Sequence, residues 1–385
     1  MRKKDFDKIL NNAKKHNNLT AGTIDEIISF KKKIFNDVNP FDLIKDHFYE
    51  IIDNRSCGYL FAIIKELYEY PEMISFINTN MYEIIKRAKT YELNNFFVWD
   101  KEDGYDFNKY INENFINLCS IVSSEILIKL FTLSDLNEKN KKIVYEMFKG
   151  REKEIVLCLL DGRIDGIKDE EYLQDFIDIV TKVILEVCEE TNSNITDIKV
   201  EGFGFYSVVF GIKDKIIKVG VNRCVFQIPN DERILQPIIR IDMNNFTSNK
   251  GVIEVSEKVD MDFKMSEEEL YQLYSEIRDR GIVCADFKKS NIGKLIKDNT
   301  IHWNKSINLD TSSRGLIGNV DKVLTSGEYV IIDTDHIYFE KYIKDYNKIL
   351  TSALAKRFEV RYQKEKESEL IEEDVIIEEE YHKTR

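Results

Sequence analysis

The spacing of apolar residues changes once along this chain, close to residue 196. Before that point apolar side chains recur every three or four residues, which is the period of an amphipathic helix. The stretch from Phe115 to Phe131 is apolar on nearly every side, and this predicts a central, buried helix. From Ile198 to Val219, short β-branched and aromatic runs are broken by glycine and by a Lys-Asp pair, a pattern typical of strands and turns. The sequence therefore predicts an α+β fold, with an all-α domain over residues 1–195 followed by a mixed domain.

Charge and cysteine usage narrow the class of protein. A net charge of −13 over 385 residues argues against a nucleic-acid-binding surface, which needs clustered Lys and Arg. No run reaches the roughly 18 apolar residues of a membrane-spanning helix. The six cysteines are scattered without a C-x-x-C pair, which indicates reduced thiols rather than disulfides or a zinc site. We expect a cytoplasmic protein, or one delivered to a host cytosol.

A short polar segment, from Asp286 to Asn291, lies between two apolar runs. It carries a carboxylate, an ammonium group two residues later and a carboxamide five residues later. Phosphoryl transfer needs an acceptor for the attacking hydroxyl's proton, a cation near the transferred group and an oxygen ligand for magnesium. Asp286, Lys288 and Asn291 suit those three roles in that order.

Upstream, a glycine-containing turn precedes a lysine in an apolar strand. The turn has the form G-x-G-x-x-S-x-V, with Gly202, Gly204, Ser207 and Val209 at the named positions. Glycine allows a backbone to come close to a phosphate where a Cβ would intrude. Lys218 follows within Ile-Ile-Lys-Val, where burial is costly unless the amine has a partner. The alternative is that Lys218 lies on the solvated face of a half-exposed strand.

Downstream, a carboxylate follows the apolar run Tyr-Val-Ile-Ile directly. Asp333 is the first acidic residue after that run, and Asp335 is the second.

In this order the segments resemble the protein kinase-like superfamily, in particular atypical kinases such as the RIO kinases, and aminoglycoside phosphotransferases. The resemblance implies a catalytic loop in which Asp286 is the base and Lys288 offsets charge on the γ-phosphoryl group. It implies that ATP is held by the glycine turn and Lys218, with Mg²⁺ on Asn291 and Asp333, or Asp335 as runner-up.

The same resemblance assigns further parts of the chain. It implies a small lobe over residues 196–258 and a reduced large lobe over residues 259–363. Backbone groups of Glu254 and Val255 would bind the adenine at a hinge. Independently of the resemblance, the run of acidic residues near the end predicts a flexible tail over residues 364–385.

Three features depart from the kinase pattern. Ser207 replaces the third glycine, no Phe-Gly follows Asp333, and Glu232 is the only reasonable partner for Lys218 in the segment where a kinase has its glutamate-bearing helix. The large lobe also lacks room for an activation segment and for the usual C-terminal helices.

Three functions are therefore open. The first is an atypical protein kinase that phosphorylates Ser or Thr hydroxyls with MgATP. The second is a pseudokinase or nucleotide-binding scaffold whose helical half binds a partner. The third, ranked lower because of Lys288, is a kinase for a small alcohol.

Overall fold

The computed structural model describes residues 71–87, 93, 106–160, 164, 167, 170–203, 207–221, 231, 233–235, 237–244, 250–300, 323–333, 336–343 and 346–383. Helices and antiparallel sheets make up these residues, so the fold is α+β as the sequence predicts. Contacts divide the chain into two compact units, Met1–Ile212 and Lys213–Arg385. Within the described ranges, we find no helix with the length and apolar character needed to cross a bilayer.

The first unit is mainly helical in its described part. Buried stripes such as Phe107, Ile111, Phe115 and Leu118 face its core. Its described helices are α1 (Pro71–Arg87), α2 (Phe107–Ile121), α3 (Ser124–Leu133), α4 (Glu138–Phe148), α5 (Glu152–Leu160) and α6 (Glu170–Glu190).

The apolar stretch that predicts one central helix contains two. Helix α2 ends at Ile121, and Ser123 then begins α3 by accepting a hydrogen bond from the backbone N–H of Ile126 at 3.3 Å. A serine in this extended conformation is a favoured helix N-cap, and it divides the stretch despite its continuous apolar character. The prediction of a buried helix holds for α3, in which every residue from Ile126 to Thr132 is buried.

A β-hairpin closes the first unit. Strands β1 (Lys199–Phe203) and β2 (Ser207–Ile212) pair antiparallel, with an irregularity in β1 between Val200 and Gly202. The buried amine of Lys199 donates to the carbonyls of Phe131, at 3.1 Å, and Ser134. A cation at the C-terminus of α3 is favoured by the helix dipole, so this contact joins the hairpin to the helices of its own unit.

The second unit holds the remaining strands. The described strands are β3 (Lys215–Val221), β4 (Ile239–Asn244), β5 (Lys250–Glu257), β6 (Val259–Asp260), β7 (Ile282–Cys284), β8 (Ile292–Leu295), β9 (Asn299–Thr300), β10 (Val323–Leu324), β11 (Tyr329–Ile331) and β12 (Ile337–Phe339). Strand β5 lies between β3 and β4 and pairs antiparallel with both, and a second sheet has the order β11-β8-β6.

Helix α7 (Glu267–Asp279) leads the chain towards the polar loop. Ser266 and Glu269 form a capping box at its start. At its end Gly281 has φ +71, and its N–H bonds to the carbonyl of Arg278 at 2.9 Å. Glycine adopts this left-handed conformation without the penalty of a Cβ, so the chain turns sharply from α7 into β7.

Two helices, α8 (Tyr346–Ile349) and α9 (Ala353–Lys383), follow β12. Helix α9 packs on α7 around a cluster of aromatic rings, in which the centroids of Tyr274 and Phe287 are 5.2 Å apart and those of Tyr274 and Phe358 are 5.7 Å apart. These rings belong to a larger buried cluster of the second unit, and Phe287 joins the polar loop to it.

Helix α9 extends into residues 364–385, for which the sequence predicts a flexible tail. Its backbone is helical through Lys383, well beyond residue 363. The first turns of this extension are held on α7, because Glu365 accepts a hydrogen bond from the Tyr271 hydroxyl and Lys366 pairs with Asp279 at 3.1 Å. The acidic composition of this segment does not reveal these partners, because they lie on α7, which is far away in the sequence.

Candidate active site

A strand lysine and a carboxylate far away in the sequence meet in the second unit. The Lys218 Nζ atom lies 3.0 Å from the Asp333 Oδ1 atom, and the side chains are 15% and 29% exposed respectively. On β3 the neighbouring Ile217 and Val219 are fully buried, so Lys218 points to the opposite face of the strand. The amine is thus largely withdrawn from water and ion-paired, rather than solvated as in the alternative prediction.

The polar loop forms a compact set of hydrogen bonds around Asp286. Its Oδ2 atom accepts from Lys288 Nζ at 2.6 Å and from Asn291 Nδ2 at 3.2 Å, and Asn291 Nδ2 also donates to the Asp286 carbonyl at 2.9 Å. Asp286 is 20% exposed in its side chain, and Lys288 is 46% exposed. The three residues that the sequence assigns to one site are therefore in contact.

Strand pairing brings this loop close to Asp333. The N–H of Ile332, which precedes Asp333, donates to the Asn291 carbonyl at 2.9 Å. Burial first, then the negative charges of Asp333 and Asp286, raise the pKa of the Cys284 thiol well above its usual value. Asp333 pairs with Lys218, and Asn291 bonds both to Asp286 and to the residue before Asp333, so these four residues lie in one neighbourhood.

Gly293 is a site-supporting residue that the sequence reasoning missed. It lies two residues after Asn291 on β8, and a Cβ there would stand 2.2 Å from the Cγ2 atom of Val259 on β6. Such a contact is far shorter than side chains tolerate, so only glycine lets β6 and β8 approach closely here. The Asn291-Ile292-Gly293 sequence at the end of the loop is the signal that could have identified this glycine.

Glu254 and Val255 lie in the middle of β5. The Val255 carbonyl accepts a hydrogen bond from Ile238 N–H at 2.6 Å, so that group is already used within the second unit. Glu254 stands directly across from Lys218 on β3 and from Arg240 on β4, and it forms a buried ion pair with Arg240 at 2.6 Å. Cross-strand partners share one face of a sheet, so a row of alternating charges crosses the face that carries Lys218.

The remaining predicted positions are only partly described. Gly204, Glu232 and Asp335 lie outside the described residues. Gly202 and Val209 are register partners in the hairpin of the first unit, and the space where a Gly202 Cβ would lie is open. Ser207 is buried at the start of β2.

Two oxygen-bearing side chains in this neighbourhood, Asn291 and Asp333, are of the kind that can bind a divalent cation. Asn291 Nδ2 is committed to Asp286, which leaves its Oδ1 as the amide atom able to bind a cation. Asp333 supplies a carboxylate nearby. Among the residues that the structure describes, no group of three or more His, Cys, Asp or Glu side chains could hold a metal ion. Mg²⁺ is commonly held by one or two protein groups together with substrate phosphates and water.

No protein-family model matches the chain. A search of curated proteins likewise gives no significant match.

Proposed function

We propose that this protein is a phosphotransferase that uses MgATP, and that its acceptor is a Ser or Thr hydroxyl of another protein. The observation that carries the proposal is the 3.0 Å contact between Lys218 and Asp333 beside the Asp286 loop. A cation, two carboxylates and an amide oxygen in one neighbourhood supply the groups that phosphoryl transfer requires. On this proposal residues 196–363 form a kinase-like domain with a reduced large lobe.

Asp286 is the proposed base for the acceptor hydroxyl. Lys288 and Asn291 both donate to its Oδ2 atom, which leaves Oδ1 as the oxygen that can take the hydroxyl proton. The two donors also fix the carboxylate, so its orientation is set before substrate arrives. Preorganised groups of this kind supply most of the catalysis where charge develops in the transition state.

Lys218 is the proposed partner of the nucleotide phosphates. Its amine already faces a carboxylate, and a phosphate oxygen is an equally good acceptor for an ammonium group. Asn291 and Asp333 would hold Mg²⁺, which neutralises charge on the phosphates when bound. Lys288, on the exposed side of the loop, can approach the transferred group.

The direct test measures phosphate transfer from γ-labelled ATP with Mg²⁺ and host lysate as acceptor. We expect incorporation by the wild type and a loss of at least about 100-fold in Asp286→Asn and in Asp333→Asn, because each change removes a charged group at the reaction centre. Asp262→Asn is the matched control, since Asp262 is exposed and lies outside the cluster. Its activity should equal that of the wild type.

The outcomes separate the three functions. Label in a lysate protein, identified by mass spectrometry, supports the protein kinase. Label only in small molecules indicates a small-alcohol kinase. Binding of MgATP without transfer indicates a nucleotide-binding scaffold, and near wild-type activity in Asp286→Asn would contradict the assignment of the base.

A further inference from the structure

The start of helix α9 contacts the backbone on both sides of Asp286. The Ala285 carbonyl accepts from Thr351 N–H at 2.9 Å, from Thr351 Oγ1 at 3.1 Å and from Ser352 N–H at 3.3 Å. The Phe287 carbonyl accepts from Ser352 Oγ at 2.6 Å. The two carbonyls that flank Asp286 are therefore held by two consecutive residues from another part of the chain.

Ser352 performs a second task through the same oxygen. Its Oγ atom accepts a hydrogen bond from the N–H of Ala355 at 2.9 Å, three residues later, which is the geometry of a helix N-cap. The hydroxyl thus donates to the loop and accepts from the helix at once. A hydroxyl group can do both, whereas a group without a proton can only cap.

Other contacts leave the loop little freedom to shift. The Ala285 N–H donates to the His336 carbonyl at 2.8 Å, and the Phe287 ring is fully enclosed against Tyr274 and Phe358. Backbone restraints thus precede and follow the single residue that carries the proposed base. By contrast, the bonds from Lys288 and Asn291 originate within the loop and move with it.

We infer that Thr351 and Ser352 are positioning residues for Asp286: their hydrogen bonds to the Ala285 and Phe287 carbonyls fix the loop so that its carboxylate faces the acceptor hydroxyl. The inference rests on the proposed function for its meaning in catalysis. The hydrogen bonds themselves are present whether or not the protein is a phosphotransferase. Misplacement of a reacting group by about 1 Å can lower a rate about 100-fold, so the restraint is large enough to matter.

The experiment separates positioning from helix capping. Glycine is nearly as good an N-cap as serine but has no hydroxyl, so Ser352→Gly keeps the cap and removes the donor to Phe287. We expect kcat to fall at least about tenfold, with the KM for ATP within about twofold of the wild type and little change in Tm. Ser352→Thr restores a hydroxyl and should recover most of the wild-type kcat.

A matched control is available at the start of α7. Ser266 also caps its helix through Oγ, with a bond from Glu269 N–H at 3.2 Å, and it lies at a helix start that does not hold Asp286. Ser266→Gly should leave kcat unchanged. A kcat for Ser352→Gly that also stays within about twofold of the wild type would overturn the inference.

Hydrogen exchange provides a readout that does not need activity. Peptides covering residues 282–291 should exchange faster in Ser352→Gly than in the wild type, and at the wild-type rate in Ser352→Thr and Ser266→Gly. If the wild type transfers no phosphate, the proposed function fails, yet this comparison still decides whether Ser352 holds the loop. Unchanged exchange in Ser352→Gly would overturn the inference in either case.

Discussion

Lys218 shows how strand geometry sets the environment of a single charge. Because Ile217 and Val219 are fully buried on one face of β3, the side chain between them must leave by the other face. There it meets Asp333, with both side chains largely withdrawn from water. A pair in this setting interacts more strongly than an exposed pair, and losing one member leaves the other charge poorly compensated.

Replacing Lys218 with methionine keeps the length of the side chain and removes its charge. We predict that Lys218→Met raises the KM for ATP or lowers kcat, so that kcat/KM falls about 100-fold or more, because a cation near the phosphates is lost. Lys215→Met is the control on the same strand, since the Lys215 amine pairs with Glu257 instead. Steady-state kinetics in which both variants lose activity equally would contradict a specific role for Lys218.

At the scale of elements, helices α7 and α9 are joined by a buried charge network. Arg278 donates to both carboxylate oxygens of Glu359, at 2.8 and 3.1 Å, and the Tyr274 hydroxyl donates to the same carboxylate at 2.6 Å. The side chains of Arg278 and Glu359 are 1% and 5% exposed. This network fixes α9 on α7, and α9 begins directly after the two residues that hold the Asp286 loop, Thr351 and Ser352.

Breaking that network should destabilise the second unit strongly. We predict that Glu359→Leu lowers the free energy of unfolding by about 3 to 5 kcal/mol, because the Arg278 guanidinium stays buried without its main partner. The double variant Arg278→Met, Glu359→Leu should recover much of that loss, since two apolar side chains can pack where the ion pair stood. Urea denaturation checks both, and equal stability of the single and double variants would argue against a coupled pair.

The same network makes stability depend on pH in the acid range. Burial tends to raise the pKa of Glu359, but hydrogen bonds from Arg278, Tyr274 and Gln363 outweigh it and hold the pKa below its usual 4.5. A carboxyl with a lowered pKa in the folded state stabilises the protein above about pH 4.5, and this contribution is lost as the pH falls through the lower folded value. The free energy of unfolding, measured between pH 7 and pH 3, should therefore fall less steeply with decreasing pH for Glu359→Gln than for the wild type.

At the scale of the whole molecule, the division between Ile212 and Lys213 assigns the predicted site residues to two units. Gly202 and Ser207 belong to the first, and Lys218, Asp286 and Asp333 belong to the second. The resemblance assigns all five residues to one active site that binds MgATP and the acceptor hydroxyl. The proposed role of the glycine hairpin, β1 and β2 with Gly202 and Ser207, is therefore a separate prediction from the roles of the cluster formed by Lys218, Asp286 and Asp333.

Hydrogen exchange with and without MgATP tests each unit by its own peptides. We predict slower exchange with MgATP at residues 282–295 and 329–333, and also at residues 199–212 if the glycine hairpin binds phosphate. Peptides from α6 serve as the internal control and should not change. Protection of the second unit alone would remove Gly202, Gly204, Ser207 and Val209 from the nucleotide site while leaving the cluster in place.

Much of the local structure follows from sequence patterns. The strands and the turn between Ile198 and Val219 and the compact loop from Asp286 to Asn291 occur where the patterns place them. Each depends on residues close together in the chain, such as a run of β-branched side chains or a glycine. The length of α9 was missed, because its acidic composition is typical of a solvated tail and its partners Tyr271 and Asp279 lie on another helix.

The sequence by itself determined the α+β class, the change from helices to strands near residue 196 and the spacing of Asp286, Lys288 and Asn291, since these depend on local periodicity and short-range hydrogen bonds. Only the tertiary structure decided that Lys218 meets Asp333, 115 residues away, and that Ser352 holds the backbone 65 residues before it. Contacts at such separations depend on how β3, β11 and α9 pack, and packing is set by the combined shapes of many side chains. No single stretch of the sequence therefore predicts these contacts.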